Sequence, residues 1–213
     1  MTTMITYQEL AESVIEGDDE LVVEQVKDLI EQGKEPLEII NQGLIGGMNV
    51  VGVRFKAGDM FMPEVLMSAG AMAAGVDIVK PLIPAGEIGN KIKVVLGTVE
   101  GDLHDIGKNL VRIMMESSGI EVTDIGVDIS PDKFVDAVQT YNPQILALSA
   151  LLTTTMPALK TTIEAVEAAG MRDELKIIVG GAPVTQEYAN SIGADGYAPD
   201  AASAADLCKE IVR

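Results

Sequence analysis

The 213-residue chain has one histidine, one cysteine and no tryptophan. That scarcity excludes a zinc site of the usual kind, which draws three or four ligands mostly from His and Cys. The lone cysteine, Cys208, also excludes an intramolecular disulfide. With three Phe and four Tyr, the interior must be aliphatic, with eleven Met as adaptable packing. Basic residues are short too: 15 Lys and Arg against 33 Asp and Glu give a formal net charge of -18. Such a surface repels phosphate backbones, so nucleic acid is not an expected partner. No N-terminal secretory signal and no apolar run long enough to span a bilayer is read, so a cytoplasmic protein with no membrane partner is expected. A composition 47% hydrophobic and 23% charged supports a real core and excludes disorder.

Up to about residue 83 the apolar residues recur at helical spacing. Leu10, Val14 and Ile15 make one face, and Leu21, Val22, Val26, Leu29 and Ile30 a second, with Asp18 or Asp19 as N-cap. Pro36 starts a third helix carrying Leu37, Ile40, Leu44 and Met48. Pro63 starts a fourth with Val65, Leu66, Ala69, Met72, Val76 and Val79. This predicts a four-helix bundle over 1–83. Pro81, Pro84, Gly86 and Gly89 mark a joint at about 82–91, with 84–90 as the linker proper.

The period then changes. Strands are predicted at Lys91–Val99, Ile120–Gly126, Ile145–Leu151, Leu175–Gly180 and Gly196–Tyr197. Helices are predicted between and after them, at about 105–118, 131–141, 156–169, 184–192 and 200–212. The alternation predicts an α/β domain over 91–213, with five parallel strands in a flavodoxin-like, Rossmann-type order.

The only histidine lies at the end of the first of these strands, in Gly101-Asp102-Leu103-His104-Asp105-Ile106-Gly107. Strand carboxyl ends are where such sheets bind ligands. The segment is not a phosphate loop: the glycines are spaced wrongly, and Asn109 follows Lys108 where Ser or Thr would hold magnesium. One imidazole can serve as the axial ligand of a metal held by a macrocycle. Asp102 can take its other N–H, as carboxylates do behind metal-bound histidines. Taken alone, the pair also fits a surface histidine bonded to a neighbouring aspartate. Two more strand ends carry Ser149-Ala150-Leu151 and Gly180-Gly181.

The three motifs together resemble the cobalamin-binding domain of cobalamin-dependent methionine synthase and of corrinoid methyl-carrier proteins. Gly47-Met48-Asn49-Val50-Val51-Gly52 and Met60-Phe61-Met62-Pro63-Glu64-Val65 resemble the helical cap before that domain. The likeness is strongest to the stand-alone corrinoid proteins of methylamine, methanol and betaine methyltransferase systems.

The resemblance implies a cobalamin or related cobamide whose cobalt cycles between methylated and cob(I) states. His104 is implied as the lower cobalt ligand and Asp102 as its partner. Thr155 stands where methionine synthase has the relay serine. Gly101, Asp105, Ile106, Gly107, Ser149, Leu151, Thr153, Gly180 and Gly181 are implied around the lower face and the nucleotide-tail slot. Phe55, Met62 and Val65 are implied as cap residues over the upper face, with the cap swinging aside at the linker. The implied role is methyl carriage from a substrate-specific methyltransferase (methylated amine, betaine or methanol donor) to an acceptor methyltransferase of the tetrahydrofolate or coenzyme M type. A reductive activation protein is a further implied partner. A substrate barrel of about 250 residues does not fit the remaining length, so no turnover is expected alone. The alternative is a corrinoid storage or cobalamin-sensing module without methyl transfer.

Overall fold

The computed structural model describes residues 5–83 and 92–212. The expected linker 84–90 lies outside the described residues. Two compact units are present: a helical one before residue 84, with which Ser117–Gly119 group, and an α/β one from residue 92 on.

The helical unit contains α1 (Tyr7–Glu16), α2 (Asp19–Glu31), a short α3 (Pro36–Glu38), α4 (Ile45–Ala57) and α5 (Met62–Val79). Thr6 caps α1 in a reciprocal box with Glu9, and Asp18 caps α2 through the Leu21 N–H at 2.9 Å. A π-helical segment, Ile39–Leu44, joins α3 to α4, so the predicted third helix is one run with a widened stretch inside it. Leu10, Val14, Val22, Val26, Leu29, Leu44 and Met48 are buried. The reading that no apolar run could span a bilayer is corrected: Met62–Leu82, mean hydropathy 1.4, is long and apolar enough by length and composition. Small Ala and Gly residues dilute this run without adding charge, which hid it. In the protein its Val65, Ser68, Ala71, Met72, Gly75 and Val79 are buried, and Ser68 Oγ donates to Ile15 O at 3.1 Å.

The α/β unit holds β1 (Lys93–Thr98), α6 (Ile106–Ser117), β2 (Glu121–Asp124), α7 (Pro131–Tyr141), β3 (Ile145–Ser149), α8 (Met156–Ala168), β4 (Lys176–Gly180), α9 (Gln186–Ser191), β5 (Gly196–Ala198) and α10 (Ala201–Ile211). All strand pairs are parallel, in the order β2-β1-β3-β4-β5. This is the flavodoxin-like arrangement. β1, β3 and β4 are almost continuously buried, as strands must be when helices cover both faces. Val95, Leu146, Leu148, Ile177 and Val179 pack with Phe134, Leu159 and Ile163 into one core cluster.

Thr98, Ser149 and Gly180 are register partners. The carboxyl ends of β1, β3 and β4 therefore stand level, and the loops beyond them leave from one edge. β3 stops two residues earlier than predicted. After Ala150 N–H bonds Gly180 O at 3.1 Å, the Leu151 N–H leaves the ladder for a side chain in another loop.

Candidate corrinoid site

That side chain is Asp102. It is 0% exposed, in the loop between β1 and α6. Oδ2 accepts from Leu151 N–H at 2.7 Å and from the Thr155 hydroxyl at 2.7 Å. Oδ1 accepts from the His104 backbone N–H at 3.1 Å and lies 2.7 Å from His104 Nδ1. Burial pushes the carboxyl up. The Leu151 N–H, the Thr155 hydroxyl and His104 outweigh it and hold Asp102 well below the usual carboxylate range. An ionised carboxylate only accepts, so Nδ1 carries the ring proton and the Nε2 lone pair is left available.

Three further features aim this ring outward. Its side chain is 49% exposed. The buried Thr98 hydroxyl, at the end of β1, donates to His104 O at 3.0 Å. Leu103 and Ile106 on either side are 73% and 67% exposed, and Leu152, beside the Asp102 donor Leu151, is 41% exposed. An imidazole among apolar side chains that face outward suits a flat, largely apolar macrocycle with one open metal position. Among the described residues no group of three or more His, Cys, Asp and Glu gathers to hold an ion.

The neighbouring strand ends are bare backbone. Gly180 ends β4, and a Cβ there would approach Ala198 O at 3.1 Å. Gly181 has φ +129°, and a Cβ on it would lie 1.9 Å from Ala150 O. Only glycine lets the two loops cross that closely. Ser149 and Leu151 are half-buried on the same edge, and Thr153 is exposed on the turn into α8. Gly101, Asp105 and Gly107 are exposed around the histidine. Thr155 is 7% exposed. Its single hydroxyl proton faces Asp102 Oδ2 at 2.7 Å, with Leu152 O at 3.0 Å as the alternative acceptor.

In the helical unit, Phe55 (α4) and Met62 (α5) are half-buried, whereas Val65 is 0% exposed. Its exposed large apolar residues are Val50, Val53, Phe61, Leu66, Met67 and Leu82. The sequence reading missed Leu103, Leu152, Thr98 and Asp128 around the histidine. Exposed apolar positions beside a motif were the one available signal for the two leucines.

A parallel α/β sheet that presents one carboxylate-backed imidazole among outward apolar side chains, beside a glycine-lined edge, fits a corrinoid-binding protein. Residues 92–206 match the B12 binding domain family, and residues 6–80 match a second family of the same description. A dimethylamine corrinoid protein of Methanosarcina barkeri is 46% identical, with 96% of each chain covered. A corrinoid protein of Desulfitobacterium hafniense is 41% identical, with 98% of each covered. Among solved structures, a cobalamin-binding protein from Desulfitobacterium hafniense superposes with a TM-score of 0.83 at 34% identity, covering 96% of this chain and 98% of that one. The methanol:cobalamin methyltransferase complex of Methanosarcina barkeri gives 0.82 at 34% identity, covering 95% and 78%. The chain belongs to the B12-binding corrinoid-protein family, and its cofactor is a corrinoid.

Proposed function

We propose that this protein carries a methyl group on corrinoid cobalt from a methyltransferase specific for a methylated amine, dimethylamine first, to an acceptor methyltransferase of the coenzyme M or tetrahydrofolate type. The observation that carries the reading is the 2.7 Å contact between Asp102 Oδ1 and His104 Nδ1, which leaves Nε2 as a lone, outward ligand. The amine donor is favoured over methanol by similarity: the dimethylamine corrinoid protein is 46% identical, against 34% for the methanol complex.

Bound corrinoid supplies a cobalt that accepts and gives up a methyl group. His104 would hold that metal through Nε2. Asp102, which stays ionised, would hold the Nδ1–H and keep the ring oriented with Nε2 outward. Thr155 holds Asp102 Oδ2 and keeps the carboxylate oriented towards the ring. Ser149, Leu151, Thr153, Gly180 and Gly181, along one sheet edge, would hold the cofactor's nucleotide tail. A reductive activation protein would be a further partner of the system.

The experiment is reconstitution with hydroxocobalamin, followed by spectral assay of methylation with dimethylamine, trimethylamine, methylamine, betaine and methanol, with and without candidate methyltransferases. About one corrinoid per chain, and methylation by dimethylamine only with its methyltransferase present, is the expected outcome. A chain that takes up no corrinoid overturns the reading. Methylation from methanol but from no amine overturns the donor assignment.

A further inference from the structure

Among the described residues, two non-glycine residues have left-handed backbone: Asn142 at φ 44° and Asp128 at φ 54°. Asn142 is the C-cap of α7, a common place for that conformation. Asp128 ends no helix. It lies in the β2–α7 loop, and a strained conformation kept there by a residue other than glycine points to its side chain.

Asp128 brackets one peptide of the histidine loop. Its Oδ1 accepts from Gly101 N–H at 2.7 Å, and its own N–H donates to Asp102 O at 3.0 Å. Gly101 itself has φ +79°. Held on both sides, the Gly101–Asp102 turn has one orientation, and that orientation sets the direction in which the Asp102 side chain leaves the backbone. The loop carrying Asp128 is fixed in turn. Thr98 N–H donates to Gly126 O at 3.0 Å, and Ile129 N–H donates to Thr98 O at 3.1 Å. Asp124 Oδ1 accepts from Gly126 N–H at 2.9 Å, and its other oxygen pairs with the buried Lys108 ammonium. Lys108 belongs to α6, the helix that follows His104. The polar contacts, together with the chain from His104 into α6, thus close a circuit: Asp124, the Gly126–Asp128 turn, Gly101 and Asp102, His104, α6, Lys108 and Asp124 again.

We propose that Asp128 is a positioning residue for His104. Its carboxylate holds the Gly101–Asp102 turn in the conformation from which Asp102 reaches the imidazole. The proposal rests on the reading of His104 as the lower cobalt ligand, and it deepens that reading. A ligand of this kind must be held within about 0.5 Å of its working place. Asp102 N–H donates to Val99 O at 3.1 Å within its own loop, whereas Asp128 holds the Gly101–Asp102 turn from a different loop.

Three variants separate positioning from a mere turn. Asp128→Asn keeps an acceptor oxygen and tolerates the left-handed backbone. Asp128→Gly relieves the strain and removes the acceptor. Asp128→Ala keeps the strain and removes the acceptor. His104 is the only histidine, so a long-range proton–nitrogen spectrum of the apoprotein reports its ring tautomer with no assignment problem. The cobalamin-loaded protein reports the fraction of imidazole-bound cobalt by absorption and by electron paramagnetic resonance.

The expected result is a wild-type ring spectrum and coordination in Asp128→Asn. Asp128→Gly and Asp128→Ala should both show mixed tautomers and about a tenfold weaker imidazole–cobalt equilibrium, the lower end of what outer-shell changes produce. Asp128→Gly should nevertheless unfold no earlier than wild type. A wild-type ring spectrum in Asp128→Gly overturns the proposal and leaves Asp128 a turn residue. Loss in Asp128→Asn equal to that in Asp128→Ala also overturns it, because the argument needs only an acceptor oxygen. Absence of imidazole coordination in the wild type strikes the assignment of His104 instead, and the apoprotein spectrum still decides whether Asp128 orients the ring.

Discussion

Thr155 Oγ1 lies 2.7 Å from Asp102 Oδ2, although the two residues sit in different loops. Asp102 itself is closed to solvent and Thr155 is nearly so, at 0% and 7% exposure. The contact is therefore a desolvated, charge-assisted hydrogen bond, stronger than a neutral one at the surface. Thr155→Ala leaves Oδ2 with the Leu151 N–H as its remaining donor, and should weaken imidazole coordination by several-fold, up to about tenfold. Thr155→Ser keeps the hydroxyl and should stay close to wild type. Equal damage in both variants, read from the imidazole-bound fraction in the cobalamin spectrum, would show that the threonine methyl matters and the hydroxyl does not.

His104→Ala removes the one imidazole in the chain. The variant should still take up corrinoid, through the glycine-lined edge and apolar contacts, but with no nitrogen coupling from a protein ligand. Electron paramagnetic resonance of the cob(II) form makes the distinction. Persistent imidazole-type coupling in this variant would place the ligand in the cofactor's own base.

Asp102 gives a pH signature with a definite sign. Its carboxyl is held below the usual range in the folded protein. Such a group stabilises the fold fully above the unfolded-state pKa, about 3.9, and loses that contribution as pH falls through the folded value. The Tm of wild-type apoprotein should therefore exceed that of Asp102→Asn by a constant margin from about pH 8 to pH 5, and the margin should shrink below about pH 4. A margin that instead grows on acidification would contradict the lowered pKa. Near neutral pH, Asp102→Asn should also weaken imidazole coordination by roughly 10- to 100-fold.

Gly181→Ala tests the crossing of the β3 and β4 loops. A Cβ at 1.9 Å from a backbone oxygen cannot be absorbed by a rotamer change. Together with the positive φ, it should cost on the order of 3 kcal/mol or more. Urea unfolding of the apoprotein measures it. A loss under about 1 kcal/mol would mean that the loops separate easily.

Lys108 is buried and paired with Asp124, whose side chain is 16% exposed. Removing one partner of a buried pair costs about 3–5 kcal/mol, because the other charge is left behind. Lys108→Met should show a loss near the lower end, since Asp124 retains some solvent. Asp124→Asn keeps an acceptor for the Gly126 N–H, so the double variant should be more stable than Lys108→Met alone. Strict additivity in the double-mutant cycle would mean that the pair is not coupled.

The order of elements was legible because each helix and strand carries its own period, and the sheet strands read as short apolar runs between breakers. The motif at His104 was legible because its residue types are rare in this chain. Its support was not. Thr98, Asp128 and the Lys108–Asp124 pair are common residue types that meet only through the sheet register and the loops beyond it. Val65 shows the limit from the other side. Apolar spacing marks it as helical, but cannot tell a core residue from a cover residue, and it is 0% exposed. The π-helical turn was not legible, because the face read from the sequence, Leu37, Ile40, Leu44 and Met48, assumes ordinary winding, whereas the turn buries Ile39, Gly43 and Leu44.

That turn, Ile39–Leu44, bears on how the chain tolerates a change of length. Its hydrogen bonds skip one residue more than those of an α-helix, so it stores a spare residue inside a continuous helical run. A single deletion there could close to ordinary winding and leave α4 in phase. The same deletion within α4 or α5 would rotate everything downstream by about 100°, carrying Val51 or Met72 off the core. Loss of one residue at 39–44 is the deletion this unit is built to survive.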